Sequence, residues 1–88
     1  MKLIKFSAEW CSPCRVLNEH LKVSGLYDKL EHIDVDDNAN DELLVKYKIR
    51  GIPTILLINE FGDVQKSVQG NITLDQVKAM IGENGWLI

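Results

Sequence analysis

Changes in the period of apolar and polar positions mark the elements of this chain. Lys2 to Ser7 reads as a short strand, an apolar run interrupted by Lys2 and Lys5. Trp10-Cys11-Ser12-Pro13-Cys14 then opens a helix. Pro13 suits the first turn, where its missing N–H costs nothing, and Cys11 or Ser12 falls at the cap. Val16, Leu17, His20 and Leu21 continue at helical spacing, and Gly25 is a plausible stop. Glu31 to Val35 alternates around His32, Ile33 and Asp34, as a second strand would. Asp36 to Asn40 is a turn and capping cluster. The next helix carries Asp41 and Glu42 in its first turn and Leu43, Leu44 and Tyr47 on its buried face. Gly51-Ile52-Pro53-Thr54 breaks that pattern, and Ile55-Leu56-Leu57-Ile58 predicts a central strand covered on both faces. Glu60 to Asp63 turns the chain into a fourth strand, Val64 to Gln69. Thr73-Leu74-Asp75-Gln76 has capping-box spacing before a last helix with Leu74, Val77 and Ile81 on one face.

The order β-α-β-α-β-β-α predicts an α/β domain: one four-stranded mixed sheet with helices on both faces. A right-handed crossover makes the first two strands parallel, and the closing hairpin adds antiparallel ones. A chain of 88 residues without repeats or linkers makes one domain, residues 1–88. Ten basic against 13 acidic residues, net −3, offer no positive face for a nucleic acid. No apolar run approaches the about 18 residues of a membrane span. Lys5 and Glu9 also interrupt the stretch that a signal peptide needs. A soluble, cytoplasmic monomer with neither nucleic-acid nor membrane partner is therefore expected.

Cys11 and Cys14 are the only cysteines. As a staple they would close too short a loop to stabilise much, on the order of 2 kcal/mol. As a zinc site they lack ligands, since only His20 and His32 remain as soft partners, and both histidines are most simply solvated. Asp34, Asp36 and Asp37 could chelate a cation, but turn and capping roles suit them better. No metal is expected. The chemistry of C-x-x-C at a strand-to-helix junction is more specific. Unpaired N–H groups and the helix dipole favour a thiolate at the first cysteine. The second, one turn later, can attack a mixed disulfide formed on the first. Cys11 is thus read as the nucleophile and Cys14 as the resolving thiol, with Ser12 and Pro13 inside the ring as tuning residues.

Ala8-Glu9-Trp10-Cys11-Ser12-Pro13-Cys14 resembles the active-site segment of the thioredoxin family, with Ser12 where glycine is usual. Tyr47 to Thr54 resembles the segment carrying that family's cis-proline, and Gly70 falls where the family has a glycine beside the site. The resemblance implies a thioredoxin-like protein disulfide oxidoreductase acting in cell redox homeostasis on disulfide-containing proteins. It also implies no bound cofactor, with electrons coming from NADPH through a thioredoxin-reductase-type flavoenzyme. Trp10, Ile52, Pro53 and Gly70 would bind substrate, with Trp10 shielding the disulfide and a cis Ile52–Pro53 bond presenting Ile52's backbone. A glutathione-dependent, glutaredoxin-like enzyme and a non-catalytic binding module of the same fold are the alternatives. Three departures stand out. Lys2–Ser7 matches the family's second strand, so the usual first strand and helix are expected to be missing and Glu31–Val35 to be a sheet edge. Lys5 occupies the place of a buried aspartate, where it either holds a thiolate by its charge or reaches water with only its stem buried. Ser7, Gln69 and Asn71 make the substrate face more polar than usual. Trp86-Leu87-Ile88 is expected to pack against the domain.

Overall fold

The structure, a computed structural model, describes residues 2–82. The expected packing of Trp86-Leu87-Ile88 falls outside them. Strand β1 (Lys2–Ser7) leads into α1 (Ser12–Ser24), and a 3-10 turn at Tyr27–Lys29 into β2 (Leu30–Asp34). A second 3-10 turn at Asn38–Asn40 precedes α2 (Asp41–Lys46), followed by β3 (Thr54–Ile58), β4 (Val64–Gln69) and α3 (Leu74–Gly82). The sheet order is β2-β1-β3-β4. β1 runs parallel to β2 and antiparallel to β3, and β4 closes antiparallel on β3. This is the four-stranded mixed sheet that the sequence pattern predicts. β2 starts one residue earlier than expected, at Leu30, because the preceding 3-10 turn delivers the chain there.

The two faces of β1 divide the interior. Leu3 packs with Leu17 and Leu21 of α1, Leu30, Ile55, Leu57, and Val77, Met80 and Ile81 of α3. On the other face, Ile4 and Phe6 pack with Ile33, Leu56 and Ile58, and Leu43, Leu44 and Tyr47 close over them. Helices therefore cover both faces. Each fully buried Leu or Ile contributes roughly 1.5–3 kcal/mol of burial. β3 is buried at all five positions because it lies inside the sheet with a helix layer on either side. β2 is an edge. Its outward Glu31 and Asp34 discourage further pairing, while the exposed Lys2–Glu31 ion pair at 3.2 Å adds little stability.

Local chemistry sets the helix ends. Gly25 closes α1 in the left-handed region at φ 77°, which spares a side chain the strain, and its N–H donates to Lys22 O at 3.2 Å. At the start of α3 the capping box is formed in both directions. Thr73 N–H donates to Gln76 Oε1 at 2.8 Å, and Gln76 N–H to Thr73 Oγ1 at 3.2 Å. The aspartates after β2 serve the turn: Asp34 Oδ1 accepts from Asp36 N–H, and Asp37 Oδ1 from Ala39 N–H.

Candidate active site

The site lies where β1 gives way to α1. Cys11 is the N-cap of that helix, with extended backbone, and its Sγ accepts the Cys14 N–H at 3.3 Å. A sulfur here faces the helix's unpaired amides, and such a bond strengthens when the acceptor carries negative charge. Both cysteines are buried, but Cys11 keeps 6% of its residue surface exposed and Cys14 none. Both thiols are free. Ser12 and Pro13, in the first turn between them, are exposed.

A second segment meets the sulfurs from across the fold. The Ile52–Pro53 bond is cis, Pro53 is buried, and Cys11 Sγ stands 4.0 Å from the Ile52 carbonyl oxygen. Gly70 joins this loop: its N–H donates to Pro53 O at 3.0 Å, with φ 86°, where a side chain would be strained. Trp10 stands on the rim, 67% exposed, and its Nε1–H donates to Asp36 Oδ2 at 2.7 Å. With Val35, Leu44, Ile49 and Ile52 it lines a shallow apolar groove beside Cys11. The Trp10–Cys11 segment, the Ile52–Pro53 segment and Gly70, far apart in sequence, thus meet at one place in the fold. Among the described residues, no His, Cys, Asp and Glu side chains gather in a group that could hold a metal ion.

Lys5, on β1, is 1% exposed. It does not reach water. Its Nζ donates to Asn18 Oδ1, on the turn of α1 after Cys14, and stands 5.5 Å from the Tyr27 ring centroid. Burial pulls the ammonium down to about 8 from its ordinary 10.5. The Cys14 sulfur opposes that fall and Lys22 adds to it. Cys14 moves the other way, pushed up to about 11, first by burial and then by its hydrogen bond with Cys11. Lys5 draws Cys14 downward, as its charge predicts, but burial outweighs it. The pull of a buried ammonium on the Cys14 thiolate is thus present with the expected sign, but it is smaller than the cost of burying that thiolate. The expectation for His32 is corrected, since it is partly buried rather than solvated. It stacks on Tyr27 at 4.0 Å and its Nε2–H donates to Tyr27 O at 2.7 Å, while Nδ1 is buried without a partner. Burial lowers its pKa.

Sequence reasoning missed Asn18 and Asp36. Asn18 lies four positions after Cys14, so helical spacing alone puts both on one face. No sequence signal pairs Trp10 with Asp36, whose contact depends on where the loop after β2 ends.

The fold and site define an α/β dithiol protein, with a Cys-x-x-Cys at a helix start facing a cis-proline loop. Comparison with known proteins agrees. The thioredoxin family model matches residues 1–83. Thioredoxin from Pseudomonas aeruginosa is 32% identical over 84 residues, covering 93% of this chain and 77% of that protein. Mitochondrial thioredoxin from Mus musculus is 31% identical over 81 residues, 90% of this chain and 48% of that protein. The chain spans about half the length of the mitochondrial and chloroplastic thioredoxins it matches. Among solved structures, a mutant thioredoxin from Halobacterium salinarum superposes with a TM-score of 0.73 at 31% identity, covering 92% of this chain and 71% of that one. Reduced thioredoxin from Schistosoma mansoni gives the same TM-score and identity, covering 92% and 75%. The chain belongs to the thioredoxin family.

Proposed function

We propose that this protein is a thiol-disulfide oxidoreductase that reduces protein disulfides through Cys11-Ser12-Pro13-Cys14. The observation that carries this reading is the asymmetry of the two sulfurs. Cys11, at the helix cap, retains a small exposed surface and its sulfur accepts an amide N–H, whereas Cys14 is fully buried. Cys11 Sγ attacks one sulfur of a substrate disulfide. A mixed disulfide forms, and the first substrate sulfur leaves as a thiolate. Cys14 then loses its proton and attacks Cys11 Sγ, so that the Cys11–Cys14 bond forms and the second substrate sulfur departs. Two electrons pass from the protein dithiol to the substrate. Proximity makes the second step intramolecular.

Trp10, Ile52, Pro53 and Gly70 are the substrate-binding surface in this reading. The Ile52 backbone and the apolar groove beside Trp10 receive an extended segment next to its cystine. The oxidised protein is recharged by a thioredoxin-reductase-like flavoenzyme drawing on NADPH, and the cycle serves redox homeostasis in a reducing, cytoplasmic setting. Among the described residues no helix is long and apolar enough to cross a membrane. The test is insulin reduction with NADPH and a thioredoxin reductase. Wild type should turn over, Cys11→Ser should be inactive, and Cys14→Ser should accumulate a mixed disulfide. No turnover by the wild type, or turnover by Cys11→Ser, would refute the reading; recharging by glutathione alone would refute the flavoenzyme.

A further inference from the structure

Resolution of the mixed disulfide requires Cys14 to lose a proton in a place that water does not reach. Cys14 is fully buried and Lys5 is 1% exposed. β1 and α1 bring the two near enough for their charges to interact. Lys5 shares the inward side of β1 with Leu3, and its nitrogen is held by Asn18, one turn after Cys14 on the inward face of α1. Asn18 in turn lines an open cleft with Ser7, Ala8, Glu9, Arg15 and Asp34. The buried amine is thus tied to a side chain that borders solvent.

We propose that the Lys5 amine takes the proton from Cys14 when Cys14 resolves the mixed disulfide, with Asn18 positioning the nitrogen. The assignment rests on the reading of Cys11 and Cys14 as nucleophile and resolving thiol. In the step itself, the Cys14 S–H proton moves to neutral Lys5, leaving a thiolate and an ammonium. The thiolate forms the Cys11–Cys14 bond and the substrate sulfur leaves with the electron pair. The ammonium then loses its proton to solvent through the cleft.

The surrounding charges favour this exchange. Facing Lys5 are Cys14 and Lys22 from α1, Tyr27 from the 3-10 turn and His32 from β2, with Ile55 beside it on β3. Burial and, less strongly, Lys22 favour the neutral amine against the opposing Cys14 sulfur, so a minor share is free base near neutral pH and the share grows as pH approaches 8. Cys14 is held protonated partly by its hydrogen bond with Cys11 and by that neighbour's charge. Both are lost once the Cys11 sulfur is tied up in a mixed disulfide. Cys14 therefore becomes easier to deprotonate at the step that needs its thiolate.

The chromogenic reagent dithiobis(nitrobenzoate) separates the steps, because one thionitrobenzoate is released when Cys11 attacks and a second when Cys14 resolves. The first phase tests the assignment of Cys11, and failure of that function shows as its absence. Lys5 is read from the ratio of the second rate to the first, which cancels any general loss of fold. In wild type the second rate should rise with pH through a midpoint near 8 and then level off. Lys5→Met should slow it about 100-fold near neutral pH, the usual scale of a positioned base, and abolish the midpoint. Lys5→Arg keeps the charge but cannot accept a proton, so it should be as slow as Lys5→Met. An unchanged ratio in Lys5→Met would overturn the proposal. Recovery in Lys5→Arg would also overturn it, assigning the effect to charge. Asn18→Leu, which deletes the acceptor that favours the ammonium, should move the midpoint below 8. A midpoint that stays in place would overturn its assignment to an Asn18-held Lys5.

Discussion

Replacing Lys5 with methionine should make the reduced protein more stable near neutral pH. The stem stays buried and only the ammonium is removed. An unfolded lysine holds its proton up to about 10.5, whereas folded Lys5 gives it up at about 8. Between those values the unfolded state binds more protons, so this group makes stability rise with pH; below 8 its full penalty is present. At about 1.4 kcal/mol per pH unit, the interval from 8 to 10.5 is worth about 3 kcal/mol. The variant also loses the hydrogen bond to Asn18, about 1 kcal/mol net. Asn18 borders the open cleft, so water can satisfy it and no further penalty is added. The balance is about 2 kcal/mol in favour of methionine, a rise in Tm on the order of 10 °C for a domain of this size. Cys14 works in the opposite sense above pH 9 but is common to both proteins and largely cancels. Urea denaturation from pH 6 to 10.5 measures the difference directly. Methionine less stable than wild type at pH 7, or an advantage that does not shrink between pH 8 and 10.5, would refute the buried-ammonium account. The same substitution should stabilise the fold and slow the resolving step, as expected where function retains a strained group.

Iodoacetamide at pH 8 should modify Cys11 and leave Cys14 unlabelled, because Cys14 ionises only near 11; peptide mass analysis decides, and equal labelling would contradict its burial. Trp10→Ala should change stability by less than about 0.5 kcal/mol, since the ring is exposed, yet reduce kcat/KM for insulin several-fold. Gly70→Ala places a side chain at φ 86° and should cost about 1–2 kcal/mol in thermal unfolding, with weaker insulin binding as the strained backbone shifts the N–H that holds the Pro53 carbonyl. Thr73→Ala removes one half of the capping box and should cost about 1 kcal/mol by urea titration.

The order of elements, the mixed sheet and the two cysteines are legible in the chain because they rest on local rules. Period marks strand and helix, Pro13 and Thr73 mark helix starts, and Gly25 marks an end. The buried run Ile55–Ile58 announces a central strand for the same reason. Contacts across the chain are of another kind. Alternation puts Lys5 on the inward face but leaves its amine's position open, because a long stem can carry the charge to water. Only the packing of α1 and the Tyr27 turn over β1 decides that it stays inside, against Asn18. His32 alternates like an exposed strand residue, yet the 3-10 turn folds Tyr27 onto its ring. The meeting of Cys11 with Ile52 spans 41 residues and that of Trp10 with Asp36 spans 26. Such distances are set by how strands are ordered in the sheet, and local propensity carries no information about them.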